Sequence, residues 1–390
     1  MRAFISSVFA LIIGVVGYAQ NDTVVSLITA FPGTDIYELE GHSAIRINMG
    51  PERDFAVSYG IFNFNAPNFV YRFVKGETDY MVGLVPFNYF IEEYVRQGRR
   101  VEELPLNLTV EEKSELINLL SENLLPENRV YRYNYVKDNC STRPLKMVES
   151  AIGDTLRLGH TQWERDVWSF RDVMRSYHKN YPWYQFGIDI ALGSGIDYPL
   201  NPREFAFVPM IMSEQVSGAS GPDGRKIAGT THALIDVAPD AAIMSPTPWY
   251  LTPVFVCWVV FAVLIGFTVG DIKRGKVTKW VDALYYGILG LAGLLLTFLI
   301  FVSVHEATSP NYLYLWLNPF CFIPAIFIWW NKGRKVVSVY QIVNFVVLLC
   351  ALCAWPLIPQ SANPAFLPLV LADLLRSFSF VYIYRSSSRR

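Results

Sequence analysis

From Tyr250 to its C-terminus the chain consists of apolar runs separated by short polar connections. Each run is about 20 residues long, the length needed to cross roughly 30 Å of hydrocarbon. Five such runs, at 250–270, 280–304, 312–330, 336–355 and 365–384, predict five transmembrane helices. The connections set their orientation. Lys273, Arg274, Lys276, Lys279, Lys332, Arg334, Lys335, Arg385, Arg389 and Arg390 fall around the first and third loops and in the tail, and the other two loops carry no Lys or Arg. Cationic loops stay in the cytoplasm, so the C-terminus is expected inside and the residues before 250 outside. Trp249, Trp280, Trp316, Trp329, Trp330 and Trp355 lie near run ends, as an interfacial aromatic belt requires.

The residues before these runs read as a water-exposed head. The whole chain is 52% hydrophobic and only 17% charged, with mean hydropathy +0.26, but the apolar excess is concentrated after residue 250. A net charge of −1 leaves no electrostatic footprint for nucleic acid. Arg2, an apolar stretch over 4–17 and the small residues Gly17 and Ala19 predict an export signal at 1–19, cut before Gln20. The expected organisation is therefore a signal at 1–19, a periplasmic domain at 20–245 with its core at about 22–153, and a membrane domain at 246–390.

Within the head, alternating runs at 24–30, 43–48 and 55–64 predict strands. Thr109 followed by Glu112 forms a capping box ahead of an amphipathic helix over 109–125. A second helix is expected from Asn139-Cys140 to about Ile152, stopped by Gly153. The fold class is α+β, a small antiparallel sheet with helices packed on it, followed by an all-α bundle.

Of the five cysteines, Cys257, Cys321, Cys350 and Cys353 lie in the apolar runs; Cys140 is the only one in the head. A lone thiol outside the membrane is either a small buried hydrophobe or a nucleophile. Asn139 as helix cap would put Cys140 in a first turn, where the dipole and free N–H groups favour a thiolate and an oxyanion. A base must come from His42, His160, His178 or His232. His42, preceded by Gly41 and opening the strand GHSAIRI, suits best, since a base on a strand edge beside a thiol at a helix start is the papain-type arrangement. No CxxC or HxxxH occurs in the head, so neither a zinc site nor any other cofactor is expected.

GHSAIRI, YGIFNF, FVKGETDY, YNYVKDNCSTR and LGSGIDYPLNPREFAFVP, together with the layout of signal, head and spans, resemble the Lnb-type lipoprotein N-acyltransferases. More distantly the head is similar to circularly permuted papain-like folds, the NlpC-type peptidases among them. The resemblance implies Cys140 as nucleophile and His42 as base. It implies acyl transfer from a phospholipid donor, through a thioester, to the α-amine of a diacylglyceryl lipoprotein, at the lipid bilayer. Asn139 is a candidate cap or oxyanion donor, and Tyr59 or Asn63 a candidate third catalytic group orienting His42. Candidate substrate-binding residues are Ser43, Arg46 and Arg143, the last two for a phosphate head group, with Tyr135 on the strand leading to Cys140 and His305 at an outer span end. Asp373 and Arg376 share a helix face in mid-span, where they can pair, and read equally as part of a head-group or substrate route or as glue between helices. The competing readings are a membrane-anchored cysteine peptidase or amidase acting on cell-wall peptide, and a scaffold in which Cys140 is packing.

Overall fold

The computed structural model describes residues 22–153 and 156–388, so the predicted export signal lies outside the described residues. In chain order the first elements are β1 (Val24–Ala30), β2 (His42–Asn48), β3 (Asp54–Ile61), α1 (Phe69–Lys75), β4 (Asp79–Pro86), α2 (Phe87–Gln97) and β5 (Val101–Pro105). They are followed by α3 (Val110–Asn123), β6 (Val130–Arg132), α4 (Thr142–Ile152), α5 (Phe170–Tyr177), α6 (Pro182–Ala191), α7 (Pro209–Ser217) and β7 (His232–Ile235). The apolar region contributes α8 (Pro253–Arg274), α9 (Lys279–Phe301), α10 (Phe322–Phe327), α11 (Arg334–Ala354) and α12 (Phe366–Ser388). The chain divides into two compact units. One holds the described residues up to Phe69, with Glu77–Phe170 and Pro199–Met244; the other holds Val70–Gly76, Arg171–Tyr198 and the chain from Ser245 onward.

The first unit is built on a seven-stranded antiparallel sheet of order β6-β4-β3-β2-β1-β5-β7. Because side chains alternate across a strand, its central strands feed two cores. Val25, Leu27, Ile45, Ile47 and Val57 meet Leu116 and Leu120 of α3 and Leu145, Val148 and Ile152 of α4. Ile28, Ala30, Ala44 and Ala56 meet Phe87, Phe90 and Tyr94 of α2. The capping box forms as its sequence requires, Thr109 Oγ1 accepting from the Glu112 N–H and the Glu112 carboxylate from the Thr109 N–H. α4 ends where Gly153 takes the left-handed conformation. Its start differs from expectation, at Thr142 and not at Cys140, because the Asn139 carboxamide binds the N–H groups of Ser141 and Thr142 and holds Asn139-Cys140 as a loop.

In the second unit α8, α9, α11 and α12 are long and apolar enough to span a membrane. The expected third span at 312–330 is not one helix. It begins as a single turn at Tyr312–Leu315, breaks, and restarts at Pro319–Cys321 and α10. Pro319 and Pro324 remove N–H donors that a continuous helix would use, and the Asn318 side chain caps the restart by accepting from the Phe320 N–H.

Asp373 and Arg376 do not pair with each other, and each instead joins its helix to others, as the reading of glue between helices has it. Arg376 donates to Asp282 at 2.6 Å, Asp271 at 2.9 Å and Thr268 at 3.0 Å, while Asp373 accepts from Tyr286 and Asn344. All three charged partners are fully buried, and carboxylates on α8 and α9 satisfy the guanidinium better than one neighbour on its own helix. At the other end of α9, residues of α1 are held by backbone contacts: Val304 N–H donates to Lys75 O at 2.9 Å and Ser303 Oγ to Val74 O at 2.8 Å.

Candidate active site

Pairing between β2 and β3 ends at Ala44–Ser58. Past that point Ser43, still paired with Thr29 of β1, reaches Cys140: its Oγ donates to the Cys140 carbonyl at 2.6 Å, and its backbone favours the ionised form of the thiol. Tyr133 lies beside the thiol and favours its ionised form. Space for the thiol comes from Gly60, whose φ of +87° an L side chain rarely adopts and where an added Cβ would meet Cys140 Cβ at 3.4 Å. Thus a strand end, a tyrosine and a glycine grip the cysteine just before α4.

The electrostatics differ from the predicted thiolate. Burial pushes the Cys140 thiol up to about 11, against the opposing pull of the Ser43 backbone, the Tyr133 side chain and the residue's own backbone. Because α4 starts two residues later, Cys140 lacks the first-turn position in which the dipole acts most strongly. His42 moves the other way. Burial and the nearby Arg99 guanidinium lower its imidazole to about 4. Arg99 is itself buried, bonded to the Phe31 carbonyl and ion-paired to Glu38. The resting pair is therefore a neutral thiol and a neutral imidazole.

His42 Nε2 lies 2.9 Å from Ser58 Oγ. Among the described residues no hydrogen bond joins His42 to Cys140; the two are linked through Ser43, which follows His42 and holds the Cys140 carbonyl by its side chain. Asn139 spends its whole carboxamide on structure: Oδ1 accepts from Ser141 and Thr142, and Nδ2 donates to Tyr135 O and Phe207 O, each at 2.8 Å. It is a cap and a cross-brace, with no amide hydrogen left for an oxyanion.

The remaining candidates are dispersed. Tyr59 is fully buried in the α3/α4 core beside Tyr131, and Asn63 forms an exposed turn with the Asn65 N–H. Arg46 is bonded to Asp54 and Glu103 and lies over the Phe87 ring; Arg143 makes a two-pronged pair with Asp138 over the Tyr131 ring. Both guanidiniums serve as structural ties here. Tyr135 is exposed. His305 belongs to the second unit, where Nε2 lies 2.8 Å from Phe73 O. Sequence reasoning missed Ser58 and the contact of Tyr133 with the thiol. Ser58 depends on the β2–β3 register, which places it opposite Ala44, two residues beyond His42. Among the described residues no group of three or more His, Cys, Asp or Glu side chains converges as a metal site would.

Residues 17–177 match a family model described as the Lnb N-terminal periplasmic domain, and residues 245–387 match the Lnb transmembrane domain, whose name specifies five helices. The chain belongs to the Lnb-type lipoprotein N-acyltransferase family. Comparison with curated proteins and with solved structures finds no match. As an Lnb member it is a membrane enzyme that modifies lipoproteins, with a periplasmic N-terminal domain and a transmembrane C-terminal domain in the inner membrane.

Proposed function

We propose that the enzyme moves an acyl chain from a phospholipid to the α-amine of the diacylglyceryl cysteine of a lipoprotein, through a thioester on Cys140. The observation that carries this reading is the head's one cysteine, whose carbonyl accepts from Ser43 Oγ at 2.6 Å, Ser43 being the residue that follows His42. His42 takes the Cys140 proton as sulfur attacks the ester carbonyl; the C–O bond breaks and the lysophospholipid leaves with that proton. The lipoprotein amine then attacks the thioester, its proton passes to His42, the C–S bond breaks, and the thiol is restored. Splitting the transfer lowers each barrier. Ser58 on Nε2 would supply the orienting group that papain-like sites use, which leaves Nδ1 as the nitrogen for proton transfer. An antiparallel sheet with the nucleophile just before a packed helix supports a permuted papain-like fold. The cytoplasmic C-terminus is supported by the cationic connections at 271–279 and 331–335 and by α1, part of the periplasmic match, holding the opposite end of α9.

The test is mass spectrometry of a resident lipoprotein's N-terminal peptide from cells carrying wild type, Cys140→Ser, Cys140→Ala or His42→Ala at matched protein levels. The Cys140 variants should yield only the diacyl form, and His42→Ala a loss of about 100-fold or more in transfer. An intact N-acyl chain in the Cys140 variants would overturn the thioester.

A further inference from the structure

α1 buries none of its residues: Val70, Tyr71 and Phe73 are 72%, 53% and 49% exposed. Its backbone is nonetheless fixed, through Val74 and Lys75, to Ser303 and Val304 just past the end of α9. The Tyr71 ring lies 5.9 Å from Phe298, in the last turn of α9. That helix presents Leu291, Leu294, Leu295 and Phe301 outward, as a span facing lipid does. The apolar side of α1 thus continues the outward face of a spanning helix, at the end opposite the cationic loop 271–279. Between its apolar residues it carries Arg72 and Lys75, the composition that places a helix in the plane of a membrane interface beside anionic head groups.

We propose that α1 is an interfacial helix, with Val70, Tyr71 and Phe73 seated among the head groups and upper acyl chains of the periplasmic leaflet, phospholipid being the occupant of this surface. The periplasmic domain then enters the bilayer itself through the excursion between β3 and β4. This conclusion does not depend on the thioester chemistry.

The test uses the full chain reconstituted in nanodiscs of phosphatidylethanolamine and phosphatidylglycerol, with a benzophenone amino acid at Val70 and, separately, at Tyr71. Leu294 serves as the lipid-facing control and Val167, 82% exposed in the first unit, as the water-facing one. After irradiation, peptides are analysed for covalent phospholipid. Either α1 position should give an adduct yield near that of Leu294 and about tenfold above that of Val167. Yields at both α1 positions equal to that of Val167 would overturn the proposal.

Discussion

Burial favours the protonated form of the Cys140 thiol at neutral pH, so the proposed thioester chemistry begins with a proton leaving. The thiol's ionisation, displaced upward to about 11 by burial, means that thiolate accumulates only as pH rises toward that value and is lost as pH falls. The alkylation rate of Cys140 in the folded enzyme should therefore climb about tenfold per pH unit from 7 to about 10 with no plateau. Peptide mapping after timed iodoacetamide pulses measures it, and a plateau near pH 8.5 would contradict the burial argument. Cys140 itself was legible as the candidate nucleophile, because it is the lone head cysteine. Its ionisation was not, because that depends on where the helix starts and on what the sulfur touches.

Elements show the same division. β1 and β2 were readable from alternation and α3 from its capping box, since those signals are local. α4 was readable at its glycine stop but not at its start, where Asn139 ties the loop to the distant Phe207 carbonyl as well as to Ser141 and Thr142. Ser58 could not be read for a related reason: its partnership with His42 exists only once two strands are in register. Asn139→Ala removes five hydrogen bonds around a buried loop–helix junction, and should lower head stability by about 2–4 kcal/mol. Thermal unfolding of the full chain in detergent checks this. Asn139→Asp should recover part of the loss through its acceptor oxygens; a wild-type melting temperature for the alanine variant would remove the brace from the account.

At the scale of the molecule, the apolar runs announced a membrane domain, but hydropathy does not register the prolines that interrupt the third, nor which helices a mid-span charge will join. Arg376 links α12 to Asp271 on α8 and Asp282 on α9. Arg376→Leu leaves two buried carboxylates without their cation and should destabilise the bundle by about 3–5 kcal/mol. Replacing all three with Leu, Asn and Asn should restore most of it. Unfolding in detergent micelles compares the two, and a triple variant no better than the single one would show that the charges do not act as a unit. The burial of Cys140 has a further consequence for life in the periplasm, an oxidising compartment that captures thiolates as mixed disulfides. With its ionisation displaced upward, the partly buried Cys140 carries little thiolate at pH 7, so the idle enzyme offers oxidants little to attack. The unfolded chain emerging from export has no such protection, which makes the interval before the sheet closes the time at which this enzyme is most easily lost to oxidation.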